Sequence, residues 1–400
     1  MKKNLLLAIC VLFLSSSISL NAQEEDSTQN EGYVFTVVKD IPATPVKNQY
    51  RSSTCWSFST LSFVESEILR MEKGDYDLSE MYVVYKIYSD KAKKYVRTHG
   101  ALNFGGGGAL NDPIDIIDKY GMVPEEVYSG LNIGEENHIH GEMDAVLKGM
   151  IDKVIENKNK KLTPRWHEAF EGMLDAYLGE IPETFTYKGK TYTPKSFGDE
   201  LGINAEDYVY ITSYTHYPFY SKFILEVPDN WSWKGFYNLP LDDMMQVMDN
   251  AIKNGYTIAW AADVSEKGFS WKNGVAIVPD EDIEEVEGME KDKWDNMSKK
   301  EKQKVLFSFD KPVKEKTITQ ELRQEAYDNY TTTDDHGMNI TGIAQDQNET
   351  KYYVVKNSWG DKNHCYNGYF YASEAFVRYK TMSILVHKDA LPKDIAKKLK

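Results

Sequence analysis

The sequence predicts an α+β fold with a helical part near the N-terminus and a β-sheet near the C-terminus. Between residues 55 and 120, apolar side chains recur at helical spacing. In the last third of the chain, short β-prone segments read as strands of an antiparallel sheet. With 400 residues, 41% of them hydrophobic, the chain is long enough to bury a large core.

The helical part is predicted to begin at or near Cys55 and to continue until Gly74. A second helix is expected from Leu78-Ser79-Glu80 to about Arg97, with Ser79 as its N-cap. A third is expected over residues 109–120. The apolar positions that define the first helix are Phe58, Leu61, Phe63, Val64, Ile68 and Leu69.

The rest of the chain is predicted to contain shorter elements. The densely charged segment 280–304 is expected to be a solvated loop or helix. The other expected elements are a hairpin over 185–192, a helix over 241–253 and strands over 257–262, 338–343, 352–356 and 369–371.

The charge balance excludes one class of partner. Forty-seven Lys and Arg against 62 Asp and Glu give a net charge of −15, so the chain lacks the basic excess that nucleic-acid binding requires. Three cysteines are too few for a disulfide scaffold.

Residues 1–22 are predicted to be a signal peptide. Lys2 and Lys3 precede the apolar run 5–14, and the small residue Ala22 offers a cleavage site. That run is half of the roughly 20 residues that span a bilayer, so we expect no membrane span and an exported, periplasmic or extracellular protein. Cleavage would leave Cys55 and Cys365, for which a disulfide is the alternative to two free thiols.

Three residues far apart in the chain suggest nucleophilic chemistry. A thiol at a helix N-terminus, as expected for Cys55, is stabilised as the attacking thiolate; the alternative is a small buried hydrophobic cysteine. His336 opens one predicted strand, and Asn357 follows the next. Adjacent antiparallel strands would let Asn357 orient the imidazole, with Trp359 shielding their hydrogen bond from water.

The segments around these residues resemble papain-family cysteine peptidases, which use a Cys, a His and an Asn in this chain order. His336 follows Cys55 by 281 residues, about twice the spacing in papain itself. This longer spacing and the segment 318–338 resemble the bleomycin hydrolase and aminopeptidase C branch. The papain-like motifs are Pro45-Val46-Lys47-Asn48-Gln49, Ser53-Thr54-Cys55-Trp56-Ser57-Phe58, Leu78-Ser79-Glu80, Lys356-Asn357-Ser358-Trp359-Gly360 and Asn367-Gly368-Tyr369.

The resemblance implies the role of each residue. Cys55 would be the nucleophile, His336 the general base and then acid, and Asn357 its orienting residue. Gln49 and the backbone N–H of Cys55 would form the oxyanion hole. Gly105, Gly106, Gly107 and Gly108 match the glycine-rich stretch along which the substrate backbone lies, a flexible connector being the alternative.

The resemblance also implies a two-part papain-like fold over residues 23–400: a helical half packed on an antiparallel β half-barrel, with the site in the cleft between them. Residues of about 130–250 would be an inserted elaboration. The implied function is a cysteine peptidase without cofactor or metal, acting on peptides as an aminopeptidase. An endopeptidase of the same mechanism and a catalytically silent peptide-binding protein are the alternatives.

In this branch the protein is a homo-hexamer, and a C-terminal arm in the cleft binds the substrate amino group with its terminal carboxylate. A hexamer is therefore implied here too. Residues 391–400 follow the last predicted strand closely and are expected to lack such an arm.

Two further groups of residues carry weaker signals. His138 and His140 have the spacing of metal ligands, but no other ligands cluster near them, so we expect a surface loop and no metal site. Trp231, Trp233 and Trp271 are expected to pack in the core or line a pocket.

Overall fold

The computed structural model describes residues 32–159, 161–280 and 297–399. The predicted signal peptide, residues 1–22, lies outside the described residues, as does most of the charged segment 280–304. None of the helices in the described ranges combines the length and apolar character that a bilayer crossing requires.

The helical half is built around the helix that begins at Cys55, as predicted. In this helix every residue from Trp56 to Ile68 is buried, and the next helix is capped by Ser79, whose Oγ accepts the N–H of Tyr82 at 3.0 Å. The helices of this half are α1 (Cys55–Arg70), α2 (Glu80–Arg97), α3 (Asn111–Tyr120), α4 (Gly141–Ile155), α5 (Arg165–Leu178) and α6 (Pro194–Leu201).

The other half is one large sheet, with strand order β5-β6-β4-β13-β7-β10-β11-β12-β9-β8 and β1 paired to β10, while β2 and β3 form the predicted separate hairpin. The strands are β1 (Thr36–Asp40), β2 (Phe185–Tyr187), β3 (Lys190–Tyr192), β4 (Tyr208–Thr212), β5 (Lys222–Ile224), β6 (Gly235–Asn238), β7 (Ile258–Ala262), β8 (Phe269–Ser270), β9 (Val275–Ala276), β10 (His336–Gln345), β11 (Lys351–Lys356), β12 (Tyr369–Ser373) and β13 (Thr381–His387).

The sheet separates two apolar cores. On one face, Ala259 and Leu385 pack with the helical half; on the other, Trp260 and Ile384 pack with α7 (Leu241–Lys253). Successive residues of β7 and β13 point to opposite faces, which explains this alternation. The remaining described helices are α8 (Lys299–Leu306), α9 (Gln320–Asp328), α10 (Glu374–Lys380) and α11 (Lys393–Ala396).

The α+β class is confirmed, but the sheet is mixed rather than purely antiparallel, and it does not close into a barrel. β4 pairs in parallel with β6, and β12 in parallel with β9. Residues 130–250 contribute α4 to α6 to the helical half and β4 to β6 to one end of the same sheet.

The C-terminal segment packs on the face of the sheet that carries α7. Ile395 is fully buried in that core, and Lys398 lies 3.4 Å from Asp243 of α7. The described part of this segment therefore lies across the sheet from α1 and Cys55.

A cluster of buried charges joins the N-terminal segment to both α1 and α2. Lys47 Nζ lies 3.2 Å from Glu65, 2.7 Å from Glu80 and 2.6 Å from Asp77. Glu65 also accepts the N–H of Leu78 at 2.9 Å, which ties the start of α2 to α1. Removing the cation would leave Glu65 and Glu80 buried without their counterion.

We therefore expect Lys47→Met to lower the free energy of unfolding by about 2–5 kcal/mol. Urea titration followed by circular dichroism measures this change. Lys153→Met is the control, since Lys153 pairs with Glu156 in an exposed ion pair and its loss should leave stability unchanged. Equal effects of the two substitutions would contradict a structural role for the cluster.

Candidate active site

Cys55 is the first residue of α1 and lies at the point where this helix meets β10. The backbone N–H groups of Gly337 and Trp56 favour the negative form of its sulfur and lower the pKa of the thiol. Burial, followed by the negative charges of Asp229 and Asp334, nevertheless raises the pKa of the Cys55 thiol to about 12. The thiolate expected from the helix N-terminus is therefore opposed by its surroundings.

Gly337 allows α1 and β10 to approach this closely. A Cβ at this position would lie 2.6 Å from Ser59 Oγ and 3.3 Å from Trp56 Cα. Because Gly337 follows His336 directly, the same contact brings the imidazole beside the start of α1.

His336 and Asn357 are adjacent, as the predicted strand pairing required. β10 and β11 are antiparallel with Asn339 opposite Lys356. The His336 Nε2 and Asn357 Oδ1 atoms are 2.8 Å apart. Since the amide oxygen only accepts, Nε2 carries the proton and Nδ1 is left as the acceptor. Burial lowers the pKa of His336, so the imidazole is neutral at neutral pH and available as a base.

Trp359 covers the imidazole. Its ring centroid is 4.7 Å from that of His336 at an angle of 31°, and Phe269 and Trp271 pack against its other edges. The predicted shielding of the histidine by Trp359 matches this geometry.

Gln49 is held by Ser358, the residue after Asn357. Ser358 Oγ donates to Gln49 Oε1 at 2.6 Å, and the Gln49 N–H donates to the Ser358 carbonyl at 2.8 Å. Because the amide oxygen is occupied, the Nε2 group remains free to donate to a ligand.

The glycine-rich stretch is a fixed loop rather than a flexible connector. Trp56 Nε1 donates to the Gly106 carbonyl at 2.8 Å, and the buried Lys91 Nζ donates to the carbonyls of Gly105 and Gly107. Gly108 lines the cavity described next, whereas Gly105, Gly106 and Gly107 lie beside it.

A cavity of about 20 Å³, room for about one water molecule, connects these elements. Cys55 and His336 both line it, while Gln49, Asn357 and Trp359 stand behind or beside them. Its walls are Cys55, Trp56, Gly108, Ala109, Leu110, Leu225, Val227, Asp229, Asn230, Phe236, Ala261, Asp334, Asp335, His336, Gly337, Met382 and Ser383.

Three residues of this site were not predicted: Asp229, Asp334 and Lys91. Asp334 and its neighbour Asp335 directly precede His336 in the sequence, and that position was the available signal. Asp229 and Lys91 reach the site only through tertiary packing, and no motif marks them.

The surface-loop prediction is right for His138, which is half-buried in a loop, and wrong for His140, which lies in the same loop but is buried. His140 is 4% exposed, and the two residues pair through their backbones with Arg51 in the loop that joins Gln49 to Cys55. Among the described residues, no three His, Cys, Asp or Glu side chains group as a metal site. These histidines therefore support the loop from behind.

The tryptophan prediction is confirmed for two residues of the three. Trp231 is buried and donates to Asp112 at 2.7 Å, and Trp271 packs on Trp359. Trp233 is 50% exposed, with Lys94 Nζ 3.8 Å from its ring centroid, so it belongs neither to the core nor to the cavity.

The fold and this arrangement of Cys, His and Asn define the papain-like class of cysteine peptidases. The Peptidase C1-like family model matches residues 7–303 and 305–400, and the chain belongs to that family. Its relatives include aminopeptidases and bleomycin hydrolase, which places it in their branch of the class.

Three curated relatives illustrate the similarity. Aminopeptidase G of Lactobacillus delbrueckii subsp. lactis is 24% identical, covering 89% of this chain and 83% of its own length. Aminopeptidase C of Listeria monocytogenes serovar 1/2a is 22% identical (94% and 87%), and bleomycin hydrolase of Mus musculus is 23% identical (92% and 86%). The crystal structure of PepW from Lactobacillus rhamnosis HN001 has the same fold, with a TM-score of 0.67, 20% identity and coverage of 91% and 84%.

We expect Gly337→Ala to lower kcat/KM for peptide cleavage by about 10²-fold, because the added Cβ pushes β10 and His336 away from Cys55. Steady-state kinetics with a fluorogenic peptide measures the loss. Gly149→Ala is the control: Gly149 lies in α4 and an added Cβ meets open space. Unchanged kinetics in Gly337→Ala would show that this contact does not position the imidazole.

A second prediction concerns His138 and His140. Burial lowers the pKa of both His138 and His140 from 6.5 to about 4. Between pH 6.5 and pH 4, these two histidines bind more protons in the unfolded chain than in the folded one. The free energy of unfolding therefore decreases as the pH falls from about 6.5 through 4. Replacing both by Gln should reduce this loss by about 1–3 kcal/mol.

Urea titrations at pH 7, 6, 5 and 4 measure the difference. His99→Asn is the control, since His99 is exposed and should leave the slope of stability against pH unchanged. The prediction fails when the double variant and the wild type lose stability in parallel.

Proposed function

We propose that this chain is a cysteine aminopeptidase of the bleomycin hydrolase type, which removes N-terminal residues from peptides. The observation that carries the proposal is the 2.8 Å hydrogen bond between His336 and Asn357 beside the cavity that Cys55 lines. The relatives named as aminopeptidases support the exopeptidase assignment.

In the first step, Cys55 Sγ attacks the carbonyl carbon of the scissile peptide bond, and His336 Nδ1 takes the thiol proton. Asn357 keeps the imidazole in the tautomer that leaves Nδ1 free. The carbonyl oxygen becomes an oxyanion, to which Gln49 Nε2 and the Cys55 N–H donate.

In the second step, the oxyanion collapses and the C–N bond breaks. His336 gives its proton to the leaving amine, and the N-terminal residue remains as a thioester on Cys55. Water then attacks the thioester with His336 again as base, which releases the free amino acid and restores the thiol.

The test is the release of N-terminal amino acids from a defined peptide, followed by mass spectrometry. Cys55→Ala should abolish release, since Cys55 is the thiol that lines the cavity beside His336. Cys365→Ala is the matched control, because Cys365 is exposed and, within the described part of the chain, donates to the Lys272 carbonyl at 3.6 Å, away from the cavity. Full activity in Cys55→Ala would reject the proposal and favour a catalytically silent scaffold.

The two partners of the hydrogen bond should differ in effect. His336→Ala removes the base itself and should lower kcat by about 10²–10⁴-fold. Asn357→Ala removes only the orienting group, so we expect it to retain more activity. With both variants folded, an equal loss of kcat would contradict the assigned roles.

Export and assembly are part of the same proposal. The signal-peptide pattern of residues 1–22 supports an exported protein, and the branch resemblance supports a homo-hexamer. N-terminal sequencing of the protein secreted by its host, and light scattering of the purified enzyme, test these two points separately.

A further inference from the structure

Two carboxylates share the cavity with the nucleophile. Asp229 lies in the turn between β5 and β6, and Asp334 lies two residues before His336. The two side chains come from segments about 100 residues apart in the chain, and only folding places them together beside Cys55.

These carboxylates have few partners of their own. Among the described residues Asp334 has no hydrogen bond or ion pair, and Asp229 accepts one hydrogen bond, from Asn103 Nδ2 at 3.2 Å. The neighbouring Asp335 differs, since it accepts from the Val264 N–H and the Ser265 hydroxyl. Carboxylates in a cavity are normally paired or bonded. Asp334 has no such partner among the described residues, and Asp229 has one hydrogen bond and the nearby positive charge of Lys91, so the two carboxylates keep free acceptor positions for a cationic ligand.

The position of Asp229 is fixed by its surroundings. Its carboxylate lies where a Cβ on Gly107 would stand, 2.2 Å from the nearer oxygen, so this glycine makes room for it. The next residue, Asn230, donates to the carbonyls of Leu225 and Lys234 at 2.9 and 3.0 Å and locks the turn. The carboxylate of Asp229 is therefore held in place before a ligand binds, unlike a mobile carboxylate on the protein surface.

We propose that Asp229 and Asp334 together bind an ammonium group of the peptide substrate, an assignment that rests on the proposed function. An ammonium has three N–H donors and the size of a water molecule, which is the space that the cavity offers. The peptide α-ammonium and a lysine side chain share this chemistry. The α-ammonium is the source that would confine cleavage to N-terminal residues.

The same carboxylates act on the nucleophile. After burial, the charges of Asp229 and Asp334 are the interactions that raise the pKa of Cys55 most. A bound ammonium compensates these charges and makes the thiolate easier to form. Substrate recognition and thiol activation would then be linked, and a blocked peptide would lose both.

The experiment compares Asp229→Asn, Asp334→Asn and the double variant on one peptide with a free or an acetylated N-terminus. For wild type we expect kcat/KM to favour the free peptide by about 10–100-fold, the range of hydrogen bonds to charged groups. The double variant should bring this ratio near 1: the free peptide loses the partners of its ammonium, while the acetylated peptide is cleaved at least as well as by wild type because the carboxylates no longer oppose the thiolate. Asp118→Asn, an exposed carboxylate at the end of α3, is the matched control and should keep the wild-type ratio.

A second pair of acetylated peptides, with lysine or norleucine on the acyl side of the scissile bond, identifies the source of the ammonium. A preference for lysine that the double variant loses would assign the pair to a lysine side chain. Equal cleavage of the two, with a strong preference for the free N-terminus, would assign it to the α-ammonium. Either result supports an ammonium site.

Two outcomes would overturn the inference. One is a double variant that is folded and keeps the wild-type ratio of free to acetylated peptide; the other is an equal loss on both peptides, which indicates a structural role. Both leave the proposed function intact, provided that cleavage still requires Cys55. If the double variant does not fold, the same ratio is measured for the two single variants, and wild type is tested for inhibition by n-butylammonium. A failure of this amine to inhibit wild type would contradict the ammonium site.

Discussion

The site depends on the close contact between the first turn of α1 and the first residues of β10. Gly337 packs against Trp56 and Ser59, and an added Cβ would lie 2.6 Å from the Ser59 hydroxyl and 3.3 Å from Trp56 Cα, so it would require both neighbours to shift. This contact places Cys55 of the helical half beside His336 of the sheet, although 281 residues separate them in sequence. Neither half contains a reactive pair by itself, so the chemistry is a property of their packing.

Buried charge stabilises that packing from behind. Lys356, the last residue of β11, donates to Ser62 of α1 at 2.8 Å and to Thr44 at 3.1 Å, and Lys47 joins α1 to α2. Burial lowers the pKa of Lys356 to about 8, which shows the cost of placing a cation there. Because Asn357 follows Lys356 directly, these bonds also fix the residue that orients the histidine.

Local patterns in the sequence predicted what local forces determine. The start of α1, the bounds of α2, the cap at Ser79 and the pairing that joins His336 to Asn357 follow from apolar spacing and strand order, whereas α1 ends at Arg70, before the predicted stop at Gly74. The parallel pairing of β4 with β6 and the burial of His140 depend on contacts between distant segments, and no short-range pattern carries them. Asp229 was missed for the same reason: its position beside Gly107 exists only in the folded chain.

The electrostatics of the cavity explain why a helix N-terminus alone is a poor guide to thiol reactivity. The N–H groups of Trp56 and Gly337 favour a negative sulfur, yet burial and two carboxylates outweigh them. Burial, followed by the negative charges of Asp229 and Asp335, raises the pKa of Asp334 to about 8, and a bound ammonium would favour the ionised form of this carboxyl. A cationic ligand would offset these negative charges and lower the pKa of the Cys55 thiol. Formation of the thiolate would then be coupled to substrate binding. The described C-terminal segment packs on the opposite face of the sheet from the site and does not cover Cys55. The two carboxylates therefore keep the thiol protonated until a substrate with a free amine binds.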